Sequence, residues 1–117
     1  TRGYLDLQDF EIDVEGGAKI DLALKAADVR VKGEGGVLFE LDGVADNLNV
    51  KLSGAGHFDA DELKTKHVTI KIEGVGTGSV YATETLNTKI EGVGKVRYRG
   101  NPEVTKNIEG LGKVTRD

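Results

Sequence analysis

Apolar and polar residues alternate along much of this chain, in runs such as Leu48-Asn49-Val50-Lys51-Leu52 and Val68-Thr69-Ile70-Lys71-Ile72. A period of two buries one face of an extended segment and leaves the other in water, so these runs predict β-strands. Each run ends at a glycine pair or a Gly-x-Gly, where tolerance of positive φ lets the backbone turn a corner. A shorter alternating stretch follows, such as His57-Phe58-Asp59-Ala60 or Lys95-Val96-Arg97-Tyr98, and predicts a second strand. No segment predicts a helix. Residues 22–27 are too few, and Asp28 resumes the alternation.

The corners recur at a near-constant step. Glu73-Gly74-Val75-Gly76, Glu91-Gly92-Val93-Gly94 and Glu109-Gly110-Leu111-Gly112 are copies of one motif. Gly54-Ala55-Gly56 is a further copy, and Gly16-Gly17 and Gly35-Gly36 are degenerate ones. The anchor glycines Gly16, Gly35, Gly54, Gly74, Gly92 and Gly110 stand 18 to 20 residues apart. Counting from them aligns the apolar positions into columns. Six residues earlier stand Phe10, Val29, Leu48, Val68, Leu86 and Val104. Four earlier stand Ile12, Val31, Val50 and Ile70, then Thr88 and Lys106. Two earlier stand Val14, Gly33, Leu52, Ile72, Ile90 and Ile108. Four later come Ile20, Phe39, Phe58, Val96 and Val114, and Val80 joins them if Thr77-Gly78 is a two-residue insertion.

A short repeat with aligned columns is the signature of a solenoid. The step is too short for a strand–helix unit other than a leucine-rich repeat, whose Leu/Asn signature is missing. The pattern therefore predicts an all-β fold, a single-stranded parallel β-helix of right-handed sense, with about six coils of 18–20 residues. Coils stacked about 4.8 Å apart would form a rod roughly 25–30 Å long. An antiparallel sandwich would also alternate, but it gives no reason for a constant step. Residues 1–117 are read as one domain, with residues 1–13 as an N-terminal cap or partial coil. The chain starts at Thr1 rather than Met, which suggests a processed form or the C-terminal portion of a longer protein.

Composition agrees with a thin core. Seventeen glycines stand against one proline, with no Cys, Met or Trp and only three Tyr and three Phe among 117 residues. The net charge of −4 is spread among both signs, so no basic face is available for nucleic acid. No apolar run approaches the roughly 18 residues that span a bilayer, so an integral membrane protein is not expected.

The Gly-x-Gly corners closing aliphatic strands resemble the bacterial putative auto-transporter adhesin, head GIN domain family (DUF2807). The closest stretch is 68–114, with Ile72-Glu73-Gly74-Val75-Gly76, Val80-Tyr81-Ala82, Ile90-Glu91-Gly92-Val93-Gly94 and Tyr98-Arg99-Gly100-Asn101-Pro102. The Tyr-x-Gly-Asn-Pro segment is the most specific part. The resemblance implies a right-handed β-helix of the bacterial cell envelope, whether periplasmic, outer-membrane or extracellular. It implies no functional residues, because members of the family are mostly without assigned activity.

Three surface features are candidates for binding. Asp21, Glu40 and Asp59 form an outward acidic column five residues after the anchors. In register these carboxylates would lie near 5 Å apart and repel, which a bound Ca²⁺ would relieve. A retaining glycosidase would also hold two carboxylates at about that distance. The plainer reading is three solvated acids, with Lys19, His57 or Lys64 nearby. Glu73, Glu91 and Glu109 form a second acidic column, and Lys71 and Lys89 beside it make a charged, soluble face. Tyr81 and Tyr98 fall on neighbouring coils and could stack on sugar rings, although Tyr98 shares the inward phase of Val96. His57 and His67 read as surface residues with no metal-ligand spacing. No cofactor is expected, with Ca²⁺ at the acidic column as the alternative.

The leading functional expectation is a non-enzymatic envelope protein whose flat sheets bind glycans or other envelope components. A lipid-associated or scaffold role is the alternative, and a polysaccharide-active enzyme a more distant one. Homo-oligomerisation is expected too. Nothing covers the last coil at 113–117, and its open edge invites pairing, although Lys106, Lys113, Arg116 and Asp117 blunt it with charge. A lateral face is the other route. At the opposite end Tyr4, Leu5, Leu7 and Phe10 are suited to capping.

Overall fold

The computed structural model describes the backbone of residues 5–116, and side chains from residue 9 to 116 apart from positions 18, 22 and 24. The chain runs as β1 (Leu5–Glu15), β2 (Ala18–Glu34), β3 (Val37–Arg99) and β4 (Glu103–Arg116), with no helix among the described residues. All three pairings are parallel and follow chain order. The fold is a β-solenoid of about six stacked coils, as the repeat predicts. The expected capping rests on Tyr4 and on the side chains of Leu5 and Leu7, which lie outside what the structure describes.

The register reproduces the repeat. Phe10 pairs with Val29, Val29 with Leu48, and Leu86 with Val104. Inside β3 the side chains of Ser53 and Glu73, 20 residues apart, meet between coils, as do His67 and Thr85, 18 apart. The six anchor glycines all have positive φ, from 82° at Gly16 to 115° at Gly92. Gly74 and Gly92 each lie against the backbone of the anchor one coil earlier, so these anchor positions stack with no room for a side chain.

Where short strands were predicted, β3 is continuous for 63 residues. The reason is that the Gly-x-Gly corners turn at a positive-φ glycine yet keep their place in the ladder. Among the described residues only Gly16-Gly17, Gly35-Gly36 and Gly100-Asn101-Pro102 interrupt it. Even there Gly16 N donates to Glu34 O at 2.9 Å and Gly35 N to Ser53 O at 3.0 Å. At Pro102 the ring leaves no N–H to donate.

The core is the set of predicted columns. Val29, Leu48, Val68 and Leu86 are buried, as are Val31, Val50, Ile70 and Thr88. The outermost members, Phe10, Ile12, Val14, Val104, Ile108 and Val114, are half-buried against them. Phe39 and Phe58 stack on successive coils with ring centres 6.0 Å apart and planes tilted by 51°. Burying a side chain of that size is worth about 2–3 kcal/mol.

One column differs from its sequence reading. Thr77-Gly78 is not an insertion. Thr77 meets His57 side chain to side chain, and Gly78 sits beside the Phe58 backbone. Gly78 therefore occupies the Phe39–Phe58–Val96 column, and Val80 stacks one position further on, in line with Ala60 and Tyr98. A Cβ at Gly78 would lie 2.8 Å from Ile70 Cδ1, so Ile70 fills the gap from the opposite wall. Gly33 works alike. Its missing side chain leaves the space that Val37 takes, 2.6 Å from where a Cβ would be.

Candidate functional site

The first outward face carries the predicted acidic column. Asp21 pairs with Glu40, and Asp59 follows on the next coil. Together with Asp42, Asp61 and Glu62 they line a shallow depression of about 300 Å³. Among the described residues no three carboxylate or imidazole groups converge to hold a metal ion. The Asp59 carboxylate accepts the Asp61 backbone N–H at 3.2 Å.

Tyr81 lies on the same face, one coil beyond Asp61. The Arg99 guanidinium sits over its ring at 5.4 Å from the centre, and reaches past it to Asp61 at 3.5 Å. One face of Tyr81 is thus already covered by a cation. Tyr98 packs half-buried against the core, as its phase predicts. His57 and His67 are both exposed. His67 bonds Thr85 at 2.8 Å and lies 3.5 Å from Glu84.

The second outward face comes from the long strands before each anchor. Its outermost column links coils by side-chain bonds, with Asn47 donating to Asp28 at 2.7 Å. Next to it stand Arg30, Asn49, Thr69, Asn87 and Thr105, all exposed. Then come Lys32, Lys51, Lys71 and Lys89, continued by Asn107. Beyond these run the predicted acids before the glycines. Lys71 reaches Glu73 at 3.0 Å, Lys89 reaches Glu91 at 3.5 Å and Lys32 reaches Glu34 at 3.7 Å. The hydrogen bond and charge of Lys71 hold the Glu73 carboxyl below its ordinary range, and Glu73 raises Lys71 in return.

These pairs pull the ammonium groups toward the Glu column. The lysine stems are left flanking a furrow whose other wall is Glu11 and Arg30 at one end and amides and hydroxyls from Asn49 onward. Two depressions of about 320 and 270 Å³ lie along it and meet at Thr69. Column arithmetic at five residues before each anchor finds this wall. Its residues escape notice in the sequence because Asn and Thr there only fill the polar half of an alternation.

A third feature sits on the corners. The middle residues of the Gly-x-Gly turns, Val75, Val93 and Leu111, are exposed by 59%, 49% and 75%. Val93 pairs directly with Leu111, so these side chains form a short apolar ridge.

A family model described as "Putative auto-transporter adhesin, head GIN domain" (DUF2807) matches residues 1–102. No curated protein matches. Among solved structures, a putative adhesin from Bacteroides fragilis is 21% identical with a TM-score of 0.80, over 97% of this chain and 60% of its own. A putative lipid binding protein from Parabacteroides distasonis is 23% identical with a TM-score of 0.79, over 96% of this chain and 51% of its own. The chain thus spans between half and two thirds of those proteins, and at this identity the likeness is one of fold.

Proposed function

Because this chain belongs to the DUF2807 family (putative auto-transporter adhesin, head GIN domain), we propose that it is a non-enzymatic binding module of the bacterial cell envelope that holds glycans along the furrow centred on Thr69. The observation that carries this reading is the furrow itself, with Asn49, Thr69, Asn87 and Thr105 on one wall and lysine stems on the other. A saccharide chain offers hydroxyls at its edges and apolar C–H faces on its rings. Regularly spaced amides and hydroxyls meet the first, and methylene stems meet the second. An open, shallow, repeating site suits a polymer better than a small metabolite, which calls for an enclosed pocket.

The test is binding of the whole chain to immobilised neutral and acidic glycans. The double variant Asn49→Leu/Asn87→Leu should weaken binding about tenfold or more, since each lost hydrogen bond is worth about 1 kcal/mol. Wild-type protein that binds no glycan, or a variant that binds equally well, would sink the reading.

A lipid-associated role is favoured by the exposed ridge of Val75, Val93 and Leu111. It is the second reading because the Glu73, Glu91 and Glu109 column beside the ridge would repel an anionic surface. Flotation with neutral vesicles, lost on Val93→Ser/Leu111→Ser, would promote it above the glycan reading.

A further inference from the structure

The face that carries Asp21 changes sign along the stack. On its first three coils the outward charged groups are Asp21, Glu40, Asp42, Asp59, Asp61 and Glu62, with Lys19 as the cation among them and the His57 imidazole beside Thr77. The fourth coil contributes Thr77, Ser79 and Tyr81, none of them charged at neutral pH. The next two contribute Lys95, Arg97, Arg99 and Lys113, and residues 95–99 and 113–116 include no acid. Coils lie about 4.8 Å apart, so each half stacks like charges in register, which costs stability in the isolated chain. The Arg99–Asp61 contact, 3.5 Å across the neutral coil, joins one group of each half.

We infer that this face docks a second copy of the same chain, turned antiparallel about a two-fold axis through the fourth coil. An isologous pair of that kind sets the acidic second and third coils of each copy against the basic fifth and sixth coils of the other, twice over, and leaves the first coil, with Asp21 and Lys19, outside the overlap. The neutral coil falls on the axis, where every residue faces its own counterpart and a charge would meet its like. A parallel face-to-face pair would instead set acid against acid. A strand rise of about 3.3 Å and a coil spacing of about 4.8 Å give the five overlapping coils roughly 400–500 Å² per partner. That is at the small end for a specific interface, so the pair is weak and depends on charge. The furrow lies on a different wall and stays open, so the dimer would present two furrows to a polymeric ligand. The inference does not rest on the glycan reading.

Sedimentation velocity on the whole chain at tens of micromolar tests it. A dimer is expected at low salt and a monomer at about 0.5 M salt, where screening is short-ranged. The variants Glu40→Lys/Asp59→Lys and Lys95→Glu/Lys113→Glu should each be monomeric at low salt. Their equimolar mixture should restore a dimer holding one of each. Circular dichroism checks that each variant is folded, and if either is not, Lys95→Gln/Lys113→Gln should weaken the wild-type dimer at least fivefold. A monomeric wild type at low salt, a dimer untouched by either reversal, a mixture that stays monomeric, or open-ended polymers would each overturn the proposal.

Discussion

At Gly92 a Cβ would sit 2.4 Å from the carbonyl oxygen of Gly74, on a backbone with φ at 115°. At Gly16 φ is also positive, at 82°, but nothing lies within 4 Å of where a Cβ would be. Gly16→Ala therefore adds only backbone strain, about 1–2 kcal/mol. Gly92→Ala adds a backbone clash that moves a coil, and should cost about 3 kcal/mol or more. Chemical denaturation of the two variants should separate them by that margin, and equal losses would mean that the ladder is not tightly stacked. Thr88 is the converse case. Its hydroxyl is buried without a hydrogen-bond partner in the column of Val31, Val50 and Ile70. Thr88→Val should raise stability by about 1–2 kcal/mol in the same experiment. The sequence made both positions legible, because glycine marks the corner and Thr88 falls where the column asks for an aliphatic. It misplaced Val80, since column arithmetic prefers an apolar residue to Gly78. What settles Gly78 is Ile70 reaching across from the other wall, and no count along the chain records that.

Within β3 the salt-linked ladders give the long strands their chemical character. Glu73 has its pKa lowered from about 4.5 by Lys71, so the pair's contribution is in place above that pH and is lost as pH falls through the folded value. Lys71 is raised above 10.5, so on the alkaline side the contribution persists below that pH and is lost as pH climbs past the folded value. Wild type and Glu73→Gln should differ in Tm at neutral pH and converge as pH falls through the folded value of Glu73. The difference will be small, because both side chains are about a third exposed and screened by water. A gap that persists in acid would assign the effect of Glu73 to packing. The pairing of these columns was legible, since Lys and Glu alternate at fixed offsets from each glycine. The furrow beside them was not, because it depends on which way the lysines lean. The stack of Asp21, Glu40 and Asp59 was legible from one offset, and its extension to Asp42, Asp61 and Glu62 needed the curvature of the coil.

Across the whole molecule one architectural fact recurs: every ladder pairing joins residues one coil apart, 19 in the β1–β2 and β2–β3 registers and 18 in β3–β4. Coils added beyond either end would repeat the same faces and lengthen the furrow without altering its cross-section. The uniform step also determines how the chain meets tension. Because it advances along the axis coil by coil, a load applied between residues 5 and 116 acts on the outermost coil first and strips it before the next is strained. Each coil released frees 18–20 residues, about 60 Å of slack. Single-molecule stretching should record a train of low, evenly spaced force drops, whereas one large drop would mean that the coils fail together. A tethered copy would therefore yield in increments, dissipating each tug at its ends while the inner coils keep their side-chain columns in place.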